Sequence, residues 1–350
     1  MSSVAFVDVA NMTRWVRDTG AENIITAMTE AIEQDFLRWQ QFDKTPRVAA
    51  HSREGVIELM PTSDGVTYGF KYVNGHPSNP GRGFQTVTAF GVLSDVHNGY
   101  PLFLTEMTIL TALRTAATSS MAARQLARSD STTMALIGTG SQAEFQSLGF
   151  RAALGIRTLR IWDTDPAAMQ KFLRNAEPLG FDVTVCSSAD EAVSGADIIT
   201  TCTADKINAT VLTDEMVTSG VHVNAIGGDC PGKTELDARI LDRATVFVEF
   251  PEQTRIEGEI QQCDPGFPVT QLWEVIAGQS AGRVSPEQIT VFDSVGFAIE
   301  DFSALCFAFE AVKGTDHVAY LDLIAEPGDP KDLFGALAPA RTDVYARGQG

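Results

Sequence analysis

The chain has 350 residues, of which 44% are hydrophobic and 20% charged, as expected for a globular protein of about two domains. Its formal net charge of −19 excludes a protein that binds nucleic acid or an anionic membrane through clustered Lys and Arg. The five cysteines form neither a CxxC pair nor a Cys/His metal pattern, so we predict no metal site and a reducing compartment.

The N-terminal part is predicted to form a substrate-binding domain over residues 1–129. Residues 1–15 lack the basic head and apolar run of a signal peptide, and no stretch approaches the roughly 20 apolar residues of a membrane span, so we expect a cytoplasmic protein. Apolar residues at three- and four-residue steps predict a helix over 21–40, and a second helix is predicted over 107–128. Between them, extended runs separated by turn-rich pieces predict a mostly antiparallel sheet. These runs lie at residues 47–50, 56–60, 66–72 and 85–93.

Beyond residue 130, compact apolar runs alternate with helical stretches, which predicts parallel strands joined by crossover helices. The runs lie at residues 134–137, 158–162, 181–185, 197–201, 222–226, 244–248 and 289–293. A helix over 296–312 is expected to return toward the first domain, and the segment 313–350 to pack back on it or to be loosely held. The predicted fold class is therefore α/β. It combines a doubly wound Rossmann domain over 130–312 with an α+β domain.

The first parallel strand runs directly into a glycine loop that opens a helix predicted over 142–154. The loop contains Gly138, Thr139, Gly140, Ser141 and Gln142. Its first glycine permits a tight turn, and its second lets backbone N–H groups approach a pyrophosphate. The helix N-terminus adds partial positive charge, so the loop predicts a dinucleotide site.

Two further positions extend this cofactor site. Asp163 ends the next strand, where a carboxylate accepts hydrogen bonds from ribose hydroxyls and repels a 2′-phosphate, which favours NAD over NADP. The alternative is an Asp that only caps the following helix. Thr201, Thr203 and Ala204 follow the fourth strand at the carboxyl edge of the sheet and suit a backbone close to the nicotinamide ribose. An ordinary exit from the strand is the alternative there.

Three cations, Arg47, Lys71 and Arg114, lie in otherwise apolar or small-residue elements of the first domain. Partly buried cations require partners. A substrate carboxylate is one candidate, because charge-assisted hydrogen bonds contribute about 1.5 to 3 kcal/mol each. Pairing with Glu58 or Glu106 is an equal alternative.

An acidic residue follows the fifth strand in the same ligand-facing position. Paired glycines precede Asp229, which places the backbone close to another group and leaves the carboxylate in a cleft, as a catalytic acid/base requires. An Asp in a plain turn is the alternative. The five histidines show no metal pairing.

Several motifs, taken together in their order over roughly residues 4–335, resemble the ornithine cyclodeaminase/mu-crystallin family. They are RVA at 47–49, GVIELMP at 55–61, FKYVNGHP at 70–77, TALRTAA at 111–117, GTGSQ at 138–142, GGDCPGKTEL at 227–236, TRIEGEI at 254–260 and VFDSVG at 291–296. The GGDCPGK segment favours the bacterial cyclodeaminase branch over the reductase and alanine dehydrogenase branches.

The resemblance implies a homodimer joined through the first domain, tightly held NAD, and conversion of L-ornithine to L-proline with release of ammonia. It implies that Arg47, Lys71 and Arg114 hold the substrate carboxylate and that Asp229 is the acid/base. It adds a catalytic or pocket-lining Glu58, the pocket residues Met60, Thr86 and Val295, and the cofactor residues Lys233 and Ser294.

The implied reaction oxidises the α carbon to an imine, which the side-chain amine attacks; ammonia leaves, and the cyclic imine is reduced. That amine is protonated at pH 7, and freeing it costs about 4 to 5 kcal/mol, so a positioned base is expected. Asp229 meets this need if it is buried. Alternatives are lysine or another diamino acid as substrate, since one methylene discriminates only about 10- to 200-fold, and ketimine reduction or amino-acid oxidation. A non-catalytic binding protein is a further alternative, which the cations and Asp229 disfavour.

Overall fold

A computed structural model describes residues 3–204 and 209–337. The helices of these residues are α1 (Val9–Thr19), α2 (Ala21–Leu37), α3 (Thr108–Leu126), α4 (Ala143–Leu154), α5 (Pro166–Ala176), α6 (Ala189–Val193), α7 (Ala238–Arg243), α8 (Pro251–Glu257), α9 (Leu272–Ile276) and α10 (Ala298–Val312). The strands are β1 (Val4–Val7), β2 (Val48–His51), β3 (Val56–Ser63), β4 (Thr67–Gly75), β5 (Ala89–Asp95), β6 (Pro101–Glu106), β7 (Thr133–Ile137), β8 (Thr158–Trp162), β9 (Asp182–Val185), β10 (Ile198–Thr201), β11 (His222–Ala225), β12 (Thr245–Val248), β13 (Thr270–Gln271), β14 (Thr290–Asp293) and β15 (Ala319–Leu321).

The first sheet has seven strands in the order β15-β1-β6-β5-β4-β3-β2, and only the β1–β6 pair among them is parallel. The predicted, mostly antiparallel sheet is therefore confirmed. Strands β1, β6 and β15 were not predicted from the sequence. They have three to six residues, too few for a clear alternation of apolar and polar side chains. They form strands because they pair with distant segments of the chain.

Helix α10 covers the inner side of this sheet, α3 contacts β5, and α2 packs on α3 and α10. The predicted helix over 21–40 ends at Leu37, and its buried positions include Ile24, Met28, Ile32 and Phe36, which form one helical face. Helix α1 was not predicted; it begins after Asp8, whose side chain accepts a hydrogen bond from the Asn11 N–H as an N-cap.

The second sheet has eight parallel strands in the order β13-β12-β14-β11-β10-β7-β8-β9. This doubly wound arrangement confirms the predicted fold class. The strand order reverses between β7 and β10, so the crevice where open α/β sheets bind ligands lies at their carboxyl ends. Only the two-residue strand β13 of this sheet was not predicted.

The last long helix, α10, packs on the first sheet and not on the second. It contacts α2, β3, β4 and β5, and the following strand β15 pairs with β1. The chain thus returns to the first sheet before residue 312, where the predicted boundary lay. Of the predicted C-terminal tail, residues 338–350 lie outside the described residues. No helix of the described residues is long and apolar enough to span a membrane.

Candidate active site

The glycine loop lies at the crevice between β7 and β10. Gly138 has φ +99°, and a Cβ there would meet the Cys202 carbonyl oxygen at 2.8 Å, so this position requires glycine. A Cβ on Gly140 would meet no heavy atom within 4 Å. The loop therefore leaves open space beside its backbone, at the N-terminus of α4, where a phosphate is favoured.

Asp163 extends directly toward this loop from the end of β8. Its Oδ2 accepts hydrogen bonds from the N–H of Thr139 at 2.6 Å and from its Oγ1 at 3.1 Å. The following helix, α5, is capped by Asp165, which accepts a hydrogen bond from the Ala167 N–H. The alternative that Asp163 is only a helix cap is therefore wrong. Its carboxylate lies beside the glycine loop, as ribose binding requires.

The loop after β10 is held by two charged side chains from the glycine-rich segment that follows β11. Both the N–H and the hydroxyl of Thr203 donate to Glu235 Oε1, and Lys233 Nζ donates to the Thr203 carbonyl at 3.1 Å. A Cβ on Gly227 would lie 2.1 Å from a Glu235 carboxylate oxygen, so the glycine lets this clamp form. Thr201 is buried at the end of β10, and Ala204 is exposed two residues beyond Cys202.

Asp229 lies at the mouth of the same crevice. Its side chain is 54% exposed, and Lys233 Nζ lies 3.2 Å from its Oδ1. The condition under which the sequence made Asp229 a base, its burial, is therefore not met in the single chain. Lys233 instead connects Asp229 with the backbone of Thr203, in the loop beside the predicted nicotinamide position.

On the facing side of the crevice, the Arg47 side chain is 6% exposed, and its guanidinium contacts two carboxylates and two backbone carbonyls. Its Nη1 donates to Glu58 Oε2 at 3.0 Å, and its Nη2 donates to the carbonyl oxygens of Val295 and Gly296. Its Nε lies 3.0 Å from Glu257 Oε2. The pairing of a cation with Glu58, one of the two alternatives from the sequence, is thus confirmed.

The other two cations share partners on α10. Both Lys71 Nζ and Arg114 Nε contact the carboxylate of Asp301, at 2.8 and 2.9 Å, and Arg114 Nη1 lies 2.8 Å from Glu300 Oε2. Glu106 does not pair with any of the three cations among the described residues. Its Oε1 caps α3 by accepting the Ile109 N–H, so the predicted pairing with Glu106 is wrong.

Glu257, Glu300 and Asp301 were missed as site residues by sequence reasoning. The signal for the two α10 acids was available: adjacent carboxylates in a helix whose other residues are mostly apolar need buried partners, as the three cations do. Glu257 had no comparable local signal, because α8 is short and mixed in polarity.

The buried charges perturb one another strongly. Burial and, after it, the Arg114 cation lower the pKa of Lys71 from 10.5 to about 8. Burial and then the neighbouring Glu249 carboxylate raise the pKa of Glu300 to about 8, against the opposing effect of Arg114. Such shifts at one cleft are characteristic of sites that bind charge or transfer protons.

Of the remaining predicted residues, Met60 and Ser294 lie next to elements that hold the cations, and Thr86 does not. Met60 is buried opposite Lys71 on the neighbouring strand, and Ser294 Oγ donates to the buried Glu249 at 2.5 Å, one residue before the turn that holds Arg47. Thr86 lies apart, in the loop between β4 and β5, where its carbonyl accepts the His76 N–H. No contact found among the described residues joins Thr86 to the three cations.

The two sides of the crevice are connected through α8. The Gln253 side chain accepts the Arg47 N–H at 3.1 Å and donates to the Gly296 carbonyl at 2.8 Å. The Asp229 charge also acts on Arg47: burial lowers the pKa of this guanidinium, and the surrounding carboxylates, Asp229 among them, more than reverse the effect. Asp229 therefore interacts with Arg47, and Arg47 with Lys71, while Lys233 and the loop after β10 connect Asp229 with the glycine loop.

The chain is similar to known proteins over nearly its whole length. Residues 9–316 match the model of the ornithine cyclodeaminase/mu-crystallin family. An ornithine cyclodeaminase of Agrobacterium fabrum is 61% identical over 337 residues, which cover 96% of this chain and 95% of that protein. A lysine cyclodeaminase, solved to explain recognition of L-lysine, L-ornithine and L-2,4-diamino butyric acid, has a TM-score of 0.90 at 32% identity and covers 95% of this chain and 99% of its own. An archaeal alanine dehydrogenase dimer with bound NAD has a TM-score of 0.83 at 31% identity, covering 92% of this chain and 100% of its own. The chain belongs to the ornithine cyclodeaminase/mu-crystallin family.

Proposed function

We propose that the protein is an ornithine cyclodeaminase, a lyase that converts L-ornithine to L-proline and ammonia and uses NAD catalytically. The observation that carries this proposal is the group of buried cationic side chains Arg47, Lys71 and Arg114, of which Arg47 interacts with Asp229 on the segment beside the open glycine loop. Cations on one wall suit an amino-acid carboxylate, and carboxylates around them suit its two amines. The strong similarity to a bacterial ornithine cyclodeaminase over nearly the whole chain supports the substrate.

The glycine loop fits NAD. The space beside Gly140 admits a pyrophosphate, and Asp163 lies where it can accept the ribose hydroxyls. The buried Gln142 Oε1, which has no hydrogen-bond partner among the described residues, can accept a further hydrogen bond from a ligand. Thr139 and Ser141 of the same loop complete the phosphate site, and Thr201, Thr203, Ala204, Lys233 and Ser294 are proposed for the nicotinamide end. NAD supplies the reversible transfer of a hydride at the α carbon.

Replacing Gly140 by Ala is expected to weaken NAD binding about 10- to 100-fold, because a methyl group there displaces the phosphate from one charge-assisted hydrogen bond of roughly 1.5 to 3 kcal/mol. The thermal midpoint of the NAD-free protein should not change, since the Cβ meets no neighbour. Fluorescence titration with NAD measures the effect. Gly266→Ala, at an equally open glycine, is the matched control and should bind NAD normally. Unchanged affinity in Gly140→Ala would place the pyrophosphate elsewhere.

The residues of the cleft suggest a division of work. Arg47, Lys71 and Arg114 approach the substrate carboxylate, while Asp301 keeps Lys71 and Arg114 in place. Asp229, half exposed and held through one oxygen by Lys233, takes the proton of the side-chain amine so that this amine can attack the imine carbon. Glu58, Met60 and Val295 line the pocket, and we keep Glu58 as a candidate for catalysis.

The proposed function is tested by incubating the protein with L-ornithine and no added NADH. Ammonia and proline should appear in equal amounts, because the hydride is returned within each turnover. A ketimine reductase would require external NADH, and a crystallin-like binding protein would release no ammonia. L-lysine, assayed in parallel, decides between the two diamino acids; faster release from lysine would overturn ornithine as the main substrate.

We further propose a homodimer joined through the outer face of the first sheet. This outer face is the cross-strand row formed by Val48, Leu59, Tyr72 and Phe90. Tyr72 stacks on Phe90 at 4.9 Å between ring centroids, and the other large side chains are exposed in the single chain. A contiguous exposed apolar face of this kind is self-complementary across a twofold axis. The dimeric state of the related alanine dehydrogenase supports the same assembly.

Leu59→Glu is expected to convert the dimer to a monomer of 37.7 kDa. The reason is that each of the two subunits would bury one unpaired Glu carboxylate at the interface. Light scattering after size exclusion measures the mass. Val66→Glu is the control: Val66 is also exposed but lies in the turn between β3 and β4, away from the outer face. A Leu59→Glu variant that remains dimeric would assign the interface to another surface.

We also propose where in the cell the protein is located and how its chain divides into domains. We place the protein in the cytoplasm, on the evidence of five free cysteines and no disulfide among the described residues. We also retain the division of the chain near residue 129 into a substrate-binding and an NAD-binding domain. Helix α10 then belongs by its contacts to the substrate-binding side, to which it contributes Glu300 and Asp301.

A further inference from the structure

Two acids, Glu257 and Glu259, flank Gly258 where α8 ends. Glu259 points toward the Asp229-bearing segment, where its two oxygens accept the N–H groups of Glu235 and Leu236. Between the acids, Gly258 lies so close to Asp293 that a Cβ would meet its carboxylate at 2.6 Å. This packing fixes the backbone and leaves Glu257 facing Arg47.

Glu257 is 4% exposed and surrounded by charge. Its Oε2 lies 3.0 Å from Arg47 Nε, but neither atom makes a hydrogen bond there within the described part of the chain. The groups that face it are Arg47, the carboxylates of Glu58 and Asp229, and the Cys230 thiol. Glu58, by contrast, is fixed by a hydrogen bond to Arg47 Nη1. Glu257 thus places beside Arg47 a buried carboxylate oxygen that is held by an ion pair but by no hydrogen bond in the described part of the chain, so it can still accept one from a ligand.

The proposed reaction requires two proton acceptors, because a diamino acid carries two ammonium groups at neutral pH. The side-chain amine must be neutral to attack, and the α-amine must be neutral before its carbon is oxidised. In an amino acid the α-nitrogen and the carboxylate are bonded to the same carbon. A group that contacts a cation of the carboxylate-binding wall is therefore within reach of the α-ammonium, and Glu257 contacts Arg47.

We propose that Glu257 is a second acid/base residue of the cleft, which accepts the proton of the substrate α-ammonium group. In this step an N–H bond breaks and an O–H bond forms on the carboxylate. After the side-chain amine has formed the new C–N bond, the new ring nitrogen loses one N–H proton to solvent and the Glu257 proton moves to the departing α-nitrogen. The C–N bond to ammonia then breaks as the lone pair of the ring nitrogen forms a C=N bond. No net proton is consumed. This inference rests on the proposed function and assigns Asp229 to the other amine.

The protonation behaviour of Glu257 fits this role. Burial raises its pKa to about 7; Arg47 opposes the shift, and the carboxylates of Glu58 and Asp229 add to it. A carboxyl group with this pKa is half ionised at neutral pH, so it can both accept a proton and return it.

Glu257→Gln is expected to lower kcat for L-ornithine at least a hundredfold, as loss of a general base does, with a much smaller change in KM. In the wild type, kcat/KM should fall as the pH drops below about 7, because Glu257 of the free enzyme then holds a proton. In the Glu257→Gln variant, kcat/KM should no longer show this decrease (the acid limb) as the pH drops. Glu252→Gln, an exposed acid on the same helix, should leave rate and profile unchanged. A Glu257→Gln enzyme with a rate within fivefold of wild type, or with the limb intact, would overturn the inference.

A second measurement needs no turnover. Carboxyl carbons of ¹³C-labelled Glu are followed by NMR against pH in the NAD-loaded wild type and in Glu257→Gln. One resonance, absent from the variant, should titrate with a midpoint near 7. A Glu257 signal that titrates below pH 5 would overturn the inference. If the wild type releases no ammonia from ornithine while this resonance titrates near 7, the proposed function fails and the assigned proton site stands.

Discussion

Replacing Asp229 by Ala is expected to lower the turnover of L-ornithine by roughly a hundredfold or more while NAD still binds. The carboxylate lies at the carboxyl edge of the parallel sheet, and its connection through Lys233 to the Thr203 carbonyl places it beside the loop proposed for the nicotinamide end. The side-chain amine then stays protonated, and freeing it without a base costs about 4 to 5 kcal/mol.

A second substitution separates proton transfer from positioning. Asp229→Asn keeps an oxygen that can accept the hydrogen bond from Lys233, but it cannot take a proton. If Asp229 is the base, Ala and Asn variants should lose turnover to a similar extent. A nearly active Asn variant would show that Asp229 only positions Lys233, and a nearly active Ala variant would remove it from the mechanism. Asp242→Asn, an exposed acid on α7, serves as the control.

Replacing Arg114 by Met is expected to lower the free energy of unfolding by about 3 to 5 kcal/mol, because removing one partner of a buried ion pair leaves uncompensated charge. The side chains of Glu300 and Asp301 are almost completely buried, and Arg114 contacts both. After the substitution Asp301 retains only Lys71, and Glu300 loses its cation. Denaturation by urea measures the change.

The matched control lies on the same helix. Arg124 is 31% exposed and forms one pair with Glu33 at 3.7 Å, so Arg124→Met should change stability by less than about 1 kcal/mol. Equal losses in the two variants would show that the α10 carboxylates do not depend on Arg114. An Arg114→Met protein of wild-type stability that has lost affinity for ornithine would assign the cation to the substrate alone.

Patterns within a few residues were sufficient for most of the fold. The apolar runs of the second sheet identify its strands, and the 3.6-residue period of α2 identifies its buried face, because side-chain direction follows directly from backbone geometry. The short strands β1 and β15 carry no such pattern. They are 315 residues apart at the Ala5–Tyr320 pair, and only the folded chain brings them together.

In the candidate active site, too, some features follow from the local sequence and others only from the tertiary structure. The sequence by itself determined the glycine loop, the acid at the end of β8 and the presence of buried cations, since each depends on local turn geometry or on the penalty for burying a charge. Only the tertiary structure decided which carboxylates meet those cations. Lys71 and Asp301 are 230 residues apart in the chain, and Arg114 and Glu300 are 186 apart. It also exposed Asp229, in the loop after β11, and buried Glu257 against Arg47, because burial is set by contacts with distant segments and not by any neighbour in sequence.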